Sequence, residues 1–514
     1  MRHFVALIAL LVTTMAQGAE PLRVMTQDRV KQDDGMFQLQ QTASELDPAK
    51  SAIVICDMWD KHWCEGATRR VAEMAPRMNA VVEEARKRGV LIVHAPSSTT
   101  GFYEGTPARD RAKNAPHVDM PNEDSWKHLD RAVESDLPID DSDGGCDCWP
   151  PCEDVNKNVW TRQIDTIRID DSDAISDNGQ EVFNVLEQHS RDNVIVMGVH
   201  TNMCVLGRPF SIRANVQNGK NVLLMRDLTD TMYNSRMAPF VNHHRGTDLV
   251  VEHIEKFWAS TITSAAFLDS EPQRFADDPR LHAVFVIHEK EYETDRTVPE
   301  FAEAELAQRF GWRCTYLMGD ELHHLPGLQA LSDADLLFVS ARRQVLPAED
   351  LAHIRAYCES GKPVVGIRTA SHAFSSRKGD TPDGAEEWPE FDAEIFGGNY
   401  HNHHGNALKA TAQVIDSARN HPILDGVDTA EFDTGWSLYK VSPLADTATP
   451  LMMGRVKGHP EEPVAWTNLN KYGGRVFYTS LGHEDDFENE NFRRMLVNGI
   501  VWAMDGVSAT ETRD

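Results

Sequence analysis

Two residues stand where apolar runs stop: Asp57 after "SAIVIC" and Cys204 shortly after "NVIVMGV". A thiol among the first residues of a helix meets unpaired backbone N–H groups and the positive end of the helix dipole, and both favour the thiolate. The same N–H groups can hold an oxyanion. A nearby carboxylate can take the thiol proton and later return it to a leaving group, and a fixed cation can keep such a pair charged. On residue type alone Cys204 reads either as this nucleophile or as a small apolar filler of a strand-to-helix corner.

The elements that must position these groups follow from periodicity. From about residue 50, "SAIVICDMW" reads as a strand, "RRVAEMAPRMNAVVEEARKRG" as a helix and "VLIVHAP" as a strand. After an irregular insertion the alternation resumes through "VFNVLEQHS", "NVIVMGV", "VLGRPFSIRANVQNG" and "KNVLLMRD". Strand and helix alternating with short Gly-containing connections predict a parallel sheet covered on both faces. The polar segment "LDSEPQRFADDPR", residues 268–280, lacks periodicity and reads as a linker. A second alternation begins at "HAVFVIHE" and ends with the helix "ENFRRMLVNGIVWAMDG". The expected fold class is therefore α/β, two doubly wound parallel-sheet (α/β/α) domains in tandem. They span residues 50–267 and 281–507, with 21–49 as an N-terminal extension. In such sheets reactive groups gather at the carboxyl ends of the strands, which is where Asp57 and Cys204 fall.

The chain has 514 residues, too many for one compact core. Arg2 and His3, the apolar run "FVALIALLVTTM" and the small residues "AQGA" have the order of a secretory signal over residues 1–20, so an exported, mature protein with no membrane span is expected. The net charge of -29, from 80 acidic against 51 basic residues, disfavours nucleic acid and anionic lipid as partners and leaves a small-molecule substrate. Homo-oligomerisation is left open. Of eight cysteines, Cys56, Cys204, Cys314 and Cys358 sit in apolar or helical contexts, while Cys64, Cys146, Cys148 and Cys152 lie in polar segments. Three of the latter fall in "DDSDGGCDCWPPCEDV", with Cys64 of "KHWCEG" able to join them in the fold. Disulfides are the first expectation, because export favours them, and a metal site the second, because C-x-C-x3-C departs from the usual C-x2-C.

"VICDMWDKHW", "GVLIVHAP" and above all "GVHTNMCVLGRPFSIRANVQNGKNVLLMRDLTD" resemble the isochorismatase-like cysteine hydrolases over about residues 50–265. The resemblance implies an Asp, Lys and Cys triad, with Asp57 as general base and acid and Cys204 as nucleophile. It also implies a cis non-proline peptide near Val199 and His200, and a substrate site that includes His200 and Asn202. Where the family has Lys, "NVWTRQIDTIRI" offers Arg162, which keeps the charge and does not release its proton. The metal ligands of nicotinamidases are not recognisable after "HAPSS", so the mechanism requires no cofactor, a divalent metal remains an option and no metal ligand is assigned. Asp227, Asp230, His243, His244 and His253, in the stretch after "NVLLM", read as pocket residues or as ordinary loop and cap groups.

"VFVIHEKEYETDRTVPEFAEAEL", "GKPVVGIRTASHAF", "HPILDGV" and "GRVFYTSLGHEDDFENENFRRMLVNGIVWAM" resemble the trehalose-utilisation (ThuA-like) family, of class I glutamine-amidotransferase-like fold. In amidotransferases a Cys follows the strand matched here by "PVVGI"; this turn instead reads Arg368, Thr369, Ala370, Ser371, His372. The glutaminase chemistry is therefore absent, and Glu291, Arg368, His372 and His483, with Glu289 and Tyr292, remain as a polar cluster suited to sugar hydroxyls. His401, His403 and His404, three imidazoles within four residues, read either as part of a metal site or as a solvated loop. The expectation is an exported cysteine hydrolase acting on an amide or related acyl bond. The alternative is a catalytically degenerate carbohydrate-binding or scaffolding protein.

Overall fold

The computed structural model describes residues 20–504 apart from 34, 36, 154, 156, 269, 271, 320–322, 378–380, 382 and 407. The signal-peptide expectation lies outside the described residues except at Glu20. Among the described residues no helix is long and apolar enough to cross a membrane.

The first sheet contains β1 (Leu22–Lys31), β2 (Phe37–Leu46), β3 (Ser51–Cys56), β4 (Leu91–Ala95), β5 (Ala174–Ile175), β6 (Asn193–Val199), β7 (Asn221–Asp230) and β8 (Ser260–Ile262), in the spatial order β2-β1-β8-β7-β6-β3-β4-β5. The strands from β8 to β5 run parallel. Its helices are α1 (Glu65–Lys87), α2 (Pro107–Lys113), α3 (Gly179–Gln188), α4 (Cys204–Gly207), α5 (Ile212–Gln217) and α6 (His243–Phe257). β3 is buried at all six positions because it lies between β4 and β6 with helices on both faces. Successive side chains point to opposite faces. Ala52, Val54 and Cys56 join one core with residues of α3 and α6, while Ile53 and Ile55 join another with Met74, Met78 and Val82 of α1.

The second sheet contains β9 (His282–His288), β10 (Arg313–Met318), β11 (Leu336–Ala341), β13 (Val364–Ile367), β16 (Lys409–Val414), β17 (Phe432–Ser437), β19 (Thr449–Arg455), β20 (Glu462–Leu469) and β21 (Arg475–Thr479). Two ribbons lie outside it, β12 (Leu346–Pro347) with β14 (Ala385–Glu386), and β15 (Asn402–His403) with β18 (Tyr439–Lys440). Its order is β10-β9-β11-β13-β21-β20-β19-β16-β17, parallel as far as β21 and antiparallel beyond. The helices here are α7 (Thr294–Ala302), α8 (Ala348–Glu359), α9 (Glu484–Phe487) and α10 (Glu490–Met504).

The chain thus carries two sheet-bearing α/β units. Both sheets are mixed, where strand–helix alternation predicted wholly parallel ones. The antiparallel strands of the second sheet lie in residues 409–479, which do not alternate with helices. Those of the first come from residues 22–46, the expected extension, which folds as a hairpin paired from Leu22↔Leu46 to Lys31↔Phe37 and joins β8 at Gln27↔Thr261.

This hairpin also reaches the second sheet. Leu39 packs into a core containing Phe285, Phe301 and Tyr316, and Gln41 donates to Tyr316 O at 2.7 Å while accepting from Met318 N at 3.3 Å. Within this expected linker, residues 273–276 are not a free tether. Gln273 N donates to Asp227 at 2.9 Å, Ala276 N to Glu73 at 2.6 Å, and Arg274 pairs with Asp333 at 2.9 Å. Their polarity, which read as linker composition, is spent on ion pairs between elements.

Candidate functional site

β3 and β6 end side by side, pairing as far as Cys56↔Gly198. Gly198 has φ +115°, and a Cβ there would stand 2.0 Å from Cys56 O, so only glycine lets the two strand ends meet this closely. The chain then passes through the cis peptide Val199–His200, as the resemblance implies, and enters α4 at Cys204. On the neighbouring strand Asp57 takes φ +47°, a left-handed conformation that Asp tolerates better than most residues. Its Oδ1 accepts from Ser97 N at 2.7 Å, which fixes the carboxylate at the mouth of the sheet.

Asp57 is fully buried, and the buried Cys204 thiol is near enough for each group to act on the other's titration. The cation beside them is Arg208, whose Nε donates to Asp57 Oδ2 at 3.3 Å. Burial pushes the Cys204 thiol far above its ordinary range, the Asp57 charge adds to this, and Arg208 opposes it. Burial likewise raises the Asp57 carboxyl, against the pull of Arg208 and the hydrogen bonds from Cys204 and Ser97. Burial and the Asp57 charge thus work against the helix-stabilised thiolate that the sequence suggests. α4 is a single turn, too short for a sizeable dipole, and desolvation outweighs it. The arrangement can transfer the proton from Cys204 to Asp57 when an electrophile arrives.

Arg162 does not join this group. Its side chain pairs with Asp165 at 2.7 Å and lies over the Phe102 ring. Gln163, one residue on, is instead the fully inward one, buried and bonded to His94 Nδ1 at 3.0 Å. Arg208 takes the cation's place near Asp57. The readable signal was its spacing, four residues after Cys204 and hence one helical turn along the same side.

His200 is buried, edge-on to His62 at 4.9 Å, and burial holds it neutral. Its Nε2 has no hydrogen-bond partner among the described residues. Asn202 is committed to the protein: its amide donates to Asp141 at 2.7 Å and to Met232 O at 3.1 Å, and its Oδ1 accepts from Met232 N at 3.0 Å. It therefore ties the Cys204 turn to the insertion between β4 and β5. Sequence reasoning also missed two tryptophans. Trp59 and Trp160 stack at 4.3 Å, both pack with the core that holds Cys204, and His62 stacks on Trp160 at 5.7 Å. Trp59 sits two residues past Asp57, a position from which an aromatic could have been suspected. Asp230 accepts from Arg70 at 2.8 Å and from His243 at 2.9 Å, a buried ion-paired group at the end of β7.

In the same insertion, Cys146, Cys148 and Cys152 meet Cys64 at the start of α1. None of the four is disulfide-bonded, and their sulfurs lie within 4.8 Å of one another. His401 and His403 direct Nδ1 at the backbone carbonyls of Asn399 and His404 instead of converging.

In the second half, strand ends gather much of the expected polar cluster. Arg368 follows β13 with φ +42° and is buried, with its guanidinium 4.2 Å from the Tyr292 ring centroid and 4.8 Å from that of Tyr439. It donates to Ser480 O at 3.0 Å, while Nε and Nη2 have no partner among the described residues. His372 stacks on Tyr400 at 4.3 Å, and His483 on Trp436 at 4.9 Å and edge-on to Tyr292 at 5.7 Å. His483 Nδ1 also caps α9, accepting from Asp485 N at 3.2 Å. Glu291 stands at the rim, paired with Arg342 at 2.9 Å. Glu289 turns back to accept from Tyr292 N and Thr294 Oγ1, a structural role.

No curated protein matches the chain. Among solved structures, it is similar to a ThuA-like protein from Bacteroides uniformis at 17% identity and TM-score 0.35, covering 46% of this chain and 95% of that one. It is also similar to a cysteine hydrolase from Pseudomonas syringae pv. phaseolicola, at 17% identity and TM-score 0.27, covering 43% and 91%. An isochorismatase from Pseudomonas putida KT2440 follows at 12% identity and TM-score 0.26, again covering 43% and 91%. Residues 320–503 match the family model described as ThuA, trehalose utilisation.

Proposed function

We propose that the first half is a cysteine hydrolase acting on an amide or related acyl carbon of a small molecule. The observation that carries this reading is the buried group formed by Asp57, Cys204 and Arg208 where β3 and β6 end. As Sγ attacks the acyl carbon, the thiol proton passes to Asp57, and the bond to the leaving group breaks as Asp57 returns that proton to it. Water then attacks the thioester carbon, giving one proton to Asp57, and the C–S bond breaks as Asp57 passes that proton to Sγ, which releases the acid and restores the thiol and the carboxylate. Arg208 keeps Asp57 ionised until the proton is needed. The backbone N–H of Cys204, which opens α4 and has no intrahelical acceptor, is the candidate donor to the oxyanion. Trp59, Trp160 and His62 supply a flat wall for a planar substrate. The test is a screen of small amides and related acyl compounds with the full chain, alongside alkylation of Cys204. Turnover by wild type that persists in Cys204→Ala would remove the thiol from the chemistry.

A second reading concerns the second half, and Arg368 favours it. A buried guanidinium with two unpartnered donors, ringed by Tyr292, Tyr439 and the stacked His372–Tyr400 pair, suits a hydroxyl-rich ligand such as a sugar. Titration with neutral and acidic sugars, followed by the fluorescence of Trp436, tests it; no response in wild type counts against it. We further propose that the protein works after export.

A further inference from the structure

We propose that Cys64, Cys146, Cys148 and Cys152 form a tetrathiolate site for a single zinc ion that staples the insertion between β4 and β5 to the N-terminus of α1. The four sulfurs lie within 4.8 Å of one another, and Cys64 Sγ is 3.7 Å from Cys148 Sγ. A tetrahedral Zn–S site has bonds of about 2.3 Å, so its sulfurs stand about 3.8 Å apart along each edge. The observed separations fit one ion at the centre.

A second, independent observation concerns the groups that face the sulfurs. Gly66 N donates to Cys148 Sγ at 3.2 Å and Glu65 N to Cys152 Sγ at 3.4 Å. Two of the four sulfurs thus receive a backbone N–H from the start of α1, an arrangement that stabilises thiolates. Four thiolates around Zn2+ leave a net charge of minus two. The guanidinium of Arg70 stands beside the group, within 3.2 Å of where a Gly66 Cβ would be, and its Nη2 is buried without a partner among the described residues. Gly66 also keeps the helix start close, since its Cβ would approach Cys148 Sγ to 3.3 Å. Trp63, Ala67 and Met232 form an apolar shell around the cysteines.

Four protein ligands close the coordination sphere, so the ion's role is structural. It fixes the loop that carries Asp141, the partner of Asn202 two residues before Cys204, and Asp143, which binds Asn234 at 2.6 Å. The loop spacing C-x-C-x3-C is unusual for zinc because the ligand set is completed from a distant helix start.

The test uses the full chain purified without reductant. Elemental analysis is expected to find about one zinc per chain, released as a mercurial titrates about four thiols. Replacement by Co2+ is expected to give thiolate-to-cobalt charge-transfer absorption and tetrahedral visible bands. Cys152→Ser should lose the metal and those bands, and Cys152→His should retain metal with an altered cobalt spectrum, which covers the case in which the Ser variant misfolds. A chain that holds neither zinc nor cobalt, whether its cysteines are found as two disulfides or as four alkylatable thiols, overturns the proposal.

Discussion

Arg208 bears on both titrating groups of the first half. It lowers the Asp57 carboxyl and the Cys204 thiol, against burial that raises both. Arg208→Ala is therefore expected to cost on the order of 100-fold or more in kcat/KM, the scale for losing one preorganised charge in a water-poor site. Arg162→Ala, which loses contacts with Asp165 and the Phe102 ring away from the Asp57–Cys204 group, should leave turnover within a few-fold of wild type. Equal losses from both variants would contradict this assignment. The pH profile gives the second residue-scale prediction. Asp57 must be ionised to accept the thiol proton, and burial holds its carboxyl above the ordinary carboxylate range, so kcat/KM should fall on acidification with an acid limb at higher pH than an ordinary aspartate would give. Removing Arg208 strengthens the net rise in the Asp57 value, so the limb should move to still higher pH in Arg208→Lys or Arg208→Ala than in wild type, least in Lys. An acid limb that stays in place in Arg208→Ala would show that Asp57 does not set it. Asp57 and Cys204 were legible because strand ends are marked by where apolar runs stop. Arg208 was overlooked although its spacing from Cys204 was readable, because choosing between two arginines needs the direction of a side chain, and the irregular stretch around Arg162 gives no phase from which to read one.

At the scale of elements, the nucleophile's position depends on two strands ending together, and Gly198 is the point of closest approach. Gly198→Ala must place a Cβ 2.0 Å from Cys56 O at a backbone angle that alanine disfavours. It is expected to lower stability by several kcal/mol, or to prevent folding, because the opposing atom is backbone and has no rotamer by which to yield. Thermal melting and soluble yield would read this directly; a variant as stable as wild type would mean that β6 can shift without cost. The strands and helices around this glycine were readable from their periods: "SAIVIC" and "NVIVMGV" are uninterrupted apolar runs because both faces of the sheet are covered. The hairpin of residues 22–46 was not readable. Its burial is partial and irregular, since one strand is edge-paired and its neighbour faces mixed surroundings, so neither a clean alternation nor a run appears. The antiparallel end of the second sheet was missed for a related reason: its short strands are joined without intervening helices.

On the scale of the whole molecule, the two sheets are bound to each other by more than the chain that connects them. Leu39 comes from the hairpin of the first sheet and is buried in a core of the second, Gln41 makes two hydrogen bonds with β10, and Arg29 and Arg245 approach Glu303 of the second unit at 3.9 and 3.6 Å. Burial raises the Glu303 carboxyl, and Glu252 adds to this while Arg29 and Arg245 oppose it, so this joint holds charges that are tolerated only while they face one another. Separating the sheets would strand those charges and expose Leu39. The whole chain is therefore expected to unfold in one cooperative transition, and residues 268–280 to resist proteolysis under native conditions, since their backbone is tied to Asp227 and Glu73. Leu39→Asp places an unpaired carboxylate in the shared core and should split melting into two transitions, with cleavage in 268–280 accelerated. Calorimetry and timed proteolysis of wild type beside Leu39→Asp decide the matter. Two separate transitions already present in wild type, with ready cleavage in 268–280, would mean that the units are independent and that the hairpin contacts contribute little.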